Sequence, residues 1–398
     1  MKKILMTLSA VLSCIAAETQ IRSSVEQVFS YTYEGVTLYY VIDSQNNASV
    51  VAPLNHDIHY LNENKTDGES WWGYSKPQGA VIVPETVPYG GSDHTVTTIG
   101  IWAFLHCDSI TSVTLPATIN SLGSHCFREC SRLKSVNIPE GINRIPSSAF
   151  YKCTDLQSVT TPSTLTSIMD GAFYLCINLR SVVLNEGLRS IGNSVFERCK
   201  NLETINFPST LTAIGETCFG ENTALTTITI PVSVETIPQY TFYFSGLKTV
   251  TLNEGLRSID YAAFFECRKL SRINLPSTLD SIGDKVFMRC SSLDSLIVRC
   301  STPPALGKEV FSAYTAKLIV PAGSIDAYRS HEVWGLFTDI TEESGVVINE
   351  TTGIRPVLNS SFTIHDDAIY DLKGHRLSNK PSATGIYIQG NKKIYIEL

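Results

Sequence analysis

Phenylalanine recurs at positions 104, 127, 150, 173, 196, 219, 242, 264 and 287. Every step is 23 residues except that from 242 to 264, which is 22. A period of this size, held in phase over nine copies, restricts the chain to a stacked-repeat architecture. Within the unit starting at Leu188, the positions Ile191, Phe196, Leu202, Ile205 and Phe207 are apolar, and the same columns are apolar in nearly every other unit. One unit cannot bury these residues alone, whereas stacked units bury them in a continuous core. The stretch Leu202 to Phe207 alternates in its second half, which predicts a short strand with Ile205 and Phe207 inward and Thr204 and Asn206 outward. Pro208 closes it, and a Gly or Pro after the first Ile of the unit (Gly192 here) marks a turn. Rungs stacked at ~4.8 Å give a parallel sheet roughly 40 Å long. The predicted fold class is therefore a repeat solenoid over residues 96–301 with a parallel β-sheet on one face.

Cysteine follows the same period. Cys107, Cys130, Cys153, Cys176, Cys199, Cys267 and Cys290 each stand three residues after a repeat Phe, and Asn222 and Ser245 fill the other two places. Cys, Asn and Ser are small and able to hydrogen-bond nearby backbone. A disulfide half could not be exchanged for Asn or Ser without stranding its partner, so the column reads as a structural ladder of buried, reduced thiols. Disulfides between neighbouring rungs are the alternative, but parallel side chains strain such a bond. No C-x-x-C pair or matching His spacing suggests a metal. Cys126 and Cys218 fall in a column of small apolar residues and read as core.

The flanks lose the period. Met1 to Lys3 is basic and Ile4 to Ala17 largely apolar, which predicts a signal peptide over 1–17 and export from the cytoplasm. Val11 to Cys14 also reads as a lipoprotein box, with Cys14 as the lipidated residue. Residues 18–95 predict a β-rich N-terminal cap, with a hairpin from Phe29 to Ile42 turning at Glu34-Gly35. Trp71 and Trp72 either plug the first rung or form a ligand platform. Residues 302–345 predict a degraded rung and a capping helix from Ser324 to about Phe337. Residues 346–398 predict a small β module of two hairpins, one over Ala368 to Leu377 and one over Gly385 to Ile396 turning at Gly390-Asn391.

Composition narrows the function. A formal net charge of −7 argues against a nucleic-acid partner. No second long apolar run suggests a transmembrane helix. The eight histidines, among them the pair His56 and His59, match no metal or nucleophile motif, and no Walker loop, G-x-S-x-G or dinucleotide fingerprint is present. The chain reads as non-enzymatic, without cofactor or metal. Two surfaces remain as candidate binding sites. The first is the outward strand face: Ser135, Asn137, Ser158, Thr160, Thr204, Asn206, Thr227, Thr229, Thr249 and Thr251. Short hydroxyls and amides with little charge could hydrogen-bond a glycan or an extended polypeptide, though they also suit any exposed sheet. The second is aromatic. Tyr151, Tyr174, Tyr243 and Phe265 directly follow a repeat Phe, and Tyr240, Phe244 and Tyr261 join them around the short repeat.

The pattern resembles the BspA-type leucine-rich repeat, a class of bacterial surface proteins with 23-residue units, over more than half the chain. Val320 to Tyr328 is similar to that family's usual ending, and Ala368 to Leu377 with Gly385 to Tyr387 resembles the C-terminal sorting modules of Bacteroidetes secreted proteins, here with His375 displacing the Arg. The resemblance implies a monomeric, secreted or surface-anchored adhesion protein that binds an extracellular protein or glycan through the solenoid. The alternative is an envelope glycan-binding accessory to a partner enzyme.

Overall fold

The computed structural model describes residues 28–54 and 69–343, together with three strands near the C-terminus. The chain divides into two units, Met1–Ser344 and Gly345–Leu398. The expected signal peptide, Cys14, the His56/His59 pair and most of the Ala368–Leu377 hairpin lie outside the described residues.

Each repeat forms one rung. Four segments follow one another: an arc of tight turns centred on Phe, an outer strand of two to five residues, a turn at Pro or Asn, and a second strand of two residues ending in Ile or Leu. The second strand is where sequence patterning suggests only a turn; Ser190–Ile191 pairs in parallel with Ser167–Ile168 and with Ala213–Ile214. The outer strand is shorter than alternation predicts, ending at Ile205 instead of Phe207 in its rung.

The arc binds the stack most continuously. The amide of each repeat Phe donates to a carbonyl of the next rung, as in Phe150 to Ala172 O at 2.8 Å and Phe196 to Cys218 O at 3.0 Å. The rings form one file, 5.1 Å apart for Phe104 and Phe127 and 5.5 Å apart for Phe173 and Phe196, with the planes of Phe150 and Phe173 within 2° of parallel. Two residues per rung adopt left-handed backbone, such as Ser194 (φ 53°) and Arg198 (φ 62°), two places either side of Phe196. Such a conformation costs a non-glycine residue ~1–2 kcal/mol, which the inter-rung hydrogen bonds offset.

A further device couples rungs in twos. Glu140-Gly141, Glu186-Gly187 and Glu254-Gly255 each precede a rung bearing Ser-Thr. The carboxylate of Glu140 accepts from the Ser163 amide at 3.1 Å and from its hydroxyl at 2.8 Å, while the Gly141 amide donates to Thr164 Oγ1 at 3.0 Å. The same three contacts join Glu186-Gly187 to Ser209-Thr210 and Glu254-Gly255 to Ser277-Thr278.

The ends are closed by different means. At the N-terminus, β1 (Phe29–Tyr33) and β2 (Val36–Ile42) form an antiparallel hairpin through Glu34-Gly35, and β3 (Ala48–Val51) adds to β2. β4 (Gly79–Ile82) starts the outer ladder against Ile110–Thr114, and after the short β5 (Thr86–Tyr89) the long β6 (Ser92–Ile99) lies in the inner one, parallel to β3 on one side and to Ser121–Leu122 on the other. Trp71 is buried edge-on against Tyr39, while Trp72 is 77% exposed.

At the other end the Phe file gains one more ring, Phe311, 5.6 Å from Phe287. Trp334 and Phe337 cover it, and Trp334 Nε1 donates to Pro304 O at 3.1 Å. The capping helix is shorter than predicted. α1 (Ile325–Ser330) ends where His331 turns extended, and a separate 3-10 turn covers Trp334–Leu336. The His331 ring explains the break: its Nδ1 accepts from the amides of Val333 and Trp334, which a continuous helix would have used. Ser324 occupies the cap position without a side-chain capping bond.

In the C-terminal unit, Gly385–Gln389 and Lys392–Ile396 pair antiparallel, and Ile369–Tyr370 joins Ile388 and Gln389 on the other edge.

Candidate functional site

All ten outward strand-face residues of the candidate set are exposed. They do not form one continuous surface, because the outer ladder is interrupted twice. It runs from Gly79–Ile82 to Ser135–Val136, restarts from Ser158–Thr160 to Thr204–Ile205, and restarts again at Thr227–Thr229. Each interruption follows an asparagine. Asn137 Oδ1 accepts from the Leu115 amide at 2.7 Å and its Nδ2 donates to Leu115 O at 2.8 Å. Asn206 makes the same pair with Leu184, at 3.1 and 2.9 Å. The side-chain amide imitates a peptide and takes the two bonds that backbone would make, so the strand stops at the preceding residue. Both amides are thus committed to the scaffold, which reduces what they offer a ligand.

The second interruption opens a groove of about 580 Å³. Five candidates line it: Asn206, Thr227, Thr229, Thr249 and Thr251. Thr204 shares the rung of Asn206 but does not line the groove, while Ser135, Asn137, Ser158 and Thr160 lie on earlier rungs outside it. Sequence reasoning missed Glu186, Ser209 and Val232, which also line it. One signal in the sequence could have found Val232. Val232 takes the place that Glu fills in the stapled rungs, and it is 64% exposed. Glu186 is held below the ordinary carboxylate range by the Ser209 amide and hydroxyl, so it stays ionised. The groove therefore combines a fixed negative charge, an apolar knob and a file of hydroxyls.

The aromatic candidates separate into three environments. Tyr151 and Tyr174 stack 5.1 Å apart, with the Arg128 guanidinium 4.6 Å over Tyr151. Tyr243 is tied down: its ring fills the space above Gly220, where a Cβ would collide with it. Its hydroxyl donates to Glu197 Oε1 at 2.8 Å and lies 3.2 Å from Glu221, which also accepts from Arg198 Nε at 2.9 Å. Burial and the hydrogen bond to Glu197 push the Tyr243 hydroxyl far up, so it remains a donor. Phe265 belongs elsewhere, to a cleft of about 220 Å³ shared with Tyr240, Tyr261 and Met288.

The cysteine column is internal. The thiols of Cys130, Cys153, Cys176, Cys199, Cys267 and Cys290 donate to the carbonyl of the preceding rung's Phe at 3.0–3.2 Å, and Cys107 begins the file. All are free and buried. Burial raises each thiol well above its ordinary value, Cys267 to about 12, so thiolate chemistry is suppressed. The substitutes behave differently. Ser245 Oγ sits 3.3 Å from Cys267 Sγ, while the buried Asn222 amide finds no hydrogen-bond partner among the described residues.

Among the described residues no cluster of three His, Cys, Asp or Glu could hold a metal. His94, the one buried histidine there, has its ring nitrogens 3.1 Å from the Asn46 and Tyr89 carbonyls. No described helix is long and apolar enough to cross a membrane.

The profile of the BspA-type leucine-rich repeat region matches residues 92–319 in overlapping segments. Among solved structures, the chain is similar to a leucine-rich cell surface protein of Faecalibacterium prausnitzii, with 20% identity over 73% of this chain and 96% of that one and a TM-score of 0.39. A leucine-rich repeat protein of Bacteroides ovatus shares 18% identity over 80% and 98%, with a TM-score of 0.32. The pneumococcal vaccine antigen PcpA shares 16% over 79% and 98%, with a TM-score of 0.43. No curated protein matches.

Proposed function

Because the chain belongs to the BspA-type leucine-rich repeat family, we propose that it is a non-enzymatic, monomeric binding protein of the cell surface. It is exported by the segment 1–17, held or released through the module 346–398, and engages an extracellular protein or glycan through the outer strand face. The reading is carried by one observation: the groove at the second ladder interruption, which Thr227, Thr229, Thr249 and Thr251 line together with Glu186 and Val232. Its hydroxyls and interrupted strand edges suit an extended polypeptide, which supplies backbone donors and acceptors at strand spacing.

The test uses the full chain against an array of immobilised extracellular-matrix proteins and polysaccharides. A Thr229→Lys/Thr251→Lys variant is expected to weaken the tightest interaction by about tenfold or more, the loss typical of a hot spot. Unchanged binding in the variant would refute the groove. Recovery of the chain only from the periplasm, with its C-terminal module intact, would refute surface display. It would also favour the second reading, a glycan-binding accessory of the envelope, which the cleft around Phe265 supports.

A further inference from the structure

The rungs on either side of the 22-residue repeat carry aromatics where most other rungs carry polar or small residues, the first rung with Ile101 and Trp102 excepted. Tyr261 stands three places before its repeat Phe, a position held by Ser124, Ser147, Asp170, Asn193, Glu216, Gln239 and Asp284 in other rungs. Tyr240 stands two places before its Phe, where Ser148, Ser194 and Thr217 stand. The core does not require them. The Phe file passes behind them unbroken, with Phe242 and Phe264 5.3 Å apart. Tyr240 and Tyr261 instead meet edge to face at 5.2 Å and 77°, half-buried, as walls of the 220 Å³ cleft. Ala262, Phe265 and Met288 line it with the tyrosines.

The rim is cationic. Glu266 is buried and shared by two guanidiniums, with Arg289 Nη1 2.7 Å from Oε1 and Arg268 Nη2 2.5 Å from Oε2. One carboxylate between two guanidiniums leaves a net positive charge, and Arg289 keeps 60% of its side chain in solvent beside the cleft. Lys285, paired with Glu309 at 3.5 Å, stands on the same rim.

The geometry points to a binding site for a terminal acidic sugar, a pyranose bearing one carboxylate, seated between Tyr240, Tyr261 and Phe265. Each part of the cleft matches one part of that ligand. The aromatic faces take the apolar C–H face of a ring. The tyrosine hydroxyls take its hydroxyls. Arg289 takes the carboxylate, which guanidinium recognises by its planar fork. The volume admits one ring, not a stretch of polymer. A polyanion is disfavoured because the chain as a whole is acidic, at −7. The inference shares with the functional reading the premise that the protein meets glycans outside the cytoplasm, but it uses a different surface from the groove.

The repeat itself supplies variants that preserve the fold. Ser148 and Ser194 already adopt the left-handed backbone of Tyr240, at φ 54° and 53° against 56°. Asn193 already fills the position of Tyr261. The full chain, the Tyr240→Ser/Tyr261→Asn variant and the Thr229→Lys/Thr251→Lys groove variant are each titrated calorimetrically with 3′-sialyllactose, a glucuronic-acid-terminated disaccharide and neutral lactose. The native chain and the groove variant should bind at least one acidic probe equally. The cleft variant should bind it about tenfold or more weakly with an unchanged melting temperature, and lactose should bind about tenfold or more weakly than the acidic probes. The proposal is overturned if lactose binds as tightly, if the cleft variant retains affinity, or if neither acidic probe binds. Loss in the groove variant alone would place glycan binding in the groove and refute the cleft while sparing the functional reading.

Discussion

Replacement of Phe173 tests whether the ring file stabilises by stacking or merely by filling volume. Phe173 is fully buried and lies 5.2 Å from Phe150 and 5.5 Å from Phe196, with planes within 2° and 4° of each. Phe173→Ala removes the buried ring and leaves a cavity between two rungs, a change that costs about 3–5 kcal/mol. Phe173→Leu keeps most of the volume and removes chiefly the two ring contacts, each worth about 0.5–1.5 kcal/mol. The leucine variant should therefore lose roughly 1–3 kcal/mol, clearly less than alanine. Guanidinium denaturation followed by circular dichroism measures both. Because each rung contacts only its neighbours, hydrogen exchange should show the lost protection concentrated between Phe150 and Phe196 before global unfolding. If leucine costs as much as alanine, or if alanine costs under about 1 kcal/mol, the account of the Phe file as a cooperative stack is wrong.

Three further outcomes are expected. Gly246 shortens its rung by passing against the Thr223 carbonyl, where a Cβ would collide with backbone; Gly246→Ala should lower the melting temperature by several degrees, whereas Gly323→Ala, with open space around its Cβ, should do so only through its positive φ. The ladder thiols should resist a disulfide-exchange reagent in native buffer and react fully in denaturant, and a disulfide between any two of them in the native protein would contradict the reduced file. For Glu266, burial raises the carboxyl, but the bonds from Arg289 and Arg268 outweigh it and the net shift is downward from 4.5. A folded value below the unfolded one contributes stability above the ordinary carboxylate range and loses it as pH falls through the folded value. Melting temperature should therefore drop below about pH 4, and Glu266→Gln should flatten that drop; an equally steep acid loss in the variant would assign it to other carboxylates.

The architecture was legible because Phe, Cys and Ile recur at one spacing, and a spacing held over nine copies admits few alternatives. What escaped were departures from the period. Asn137 and Asn206 look like ordinary outward residues, and only their geometry shows a side-chain amide taking the bonds of a peptide and ending a strand. The groove lies beside the rung of Asn206, so Thr227 to Thr251 could be named as candidates without any reason to prefer them over Ser135 or Thr160. Similarly, Tyr243 and Phe265 share a column yet differ in role, because Gly220 lets one ring fold back over two rungs while nothing comparable holds the other. The helix beyond Ser324 was over-extended for the same kind of reason: the apolar spacing continues through Phe337, but the His331 ring intercepts the amides that would have carried it.

The Glu-Gly to Ser-Thr staples have a consequence for how such a chain can change length. A carboxylate in one rung meets its hydroxyl and amide partners only in the next, so the self-contained brick is a doublet of rungs. Duplicating or deleting a whole doublet leaves every carboxylate facing a serine. Shifting by a single rung sets carboxylate beside carboxylate, or serine beside serine, at the seam. The rung of Pro231-Val232-Ser233 is such an odd course, inserted between the Glu186 and Glu254 doublets, and the groove opens beside it. In this wall the groove lies where the bond pattern of the masonry slips by half.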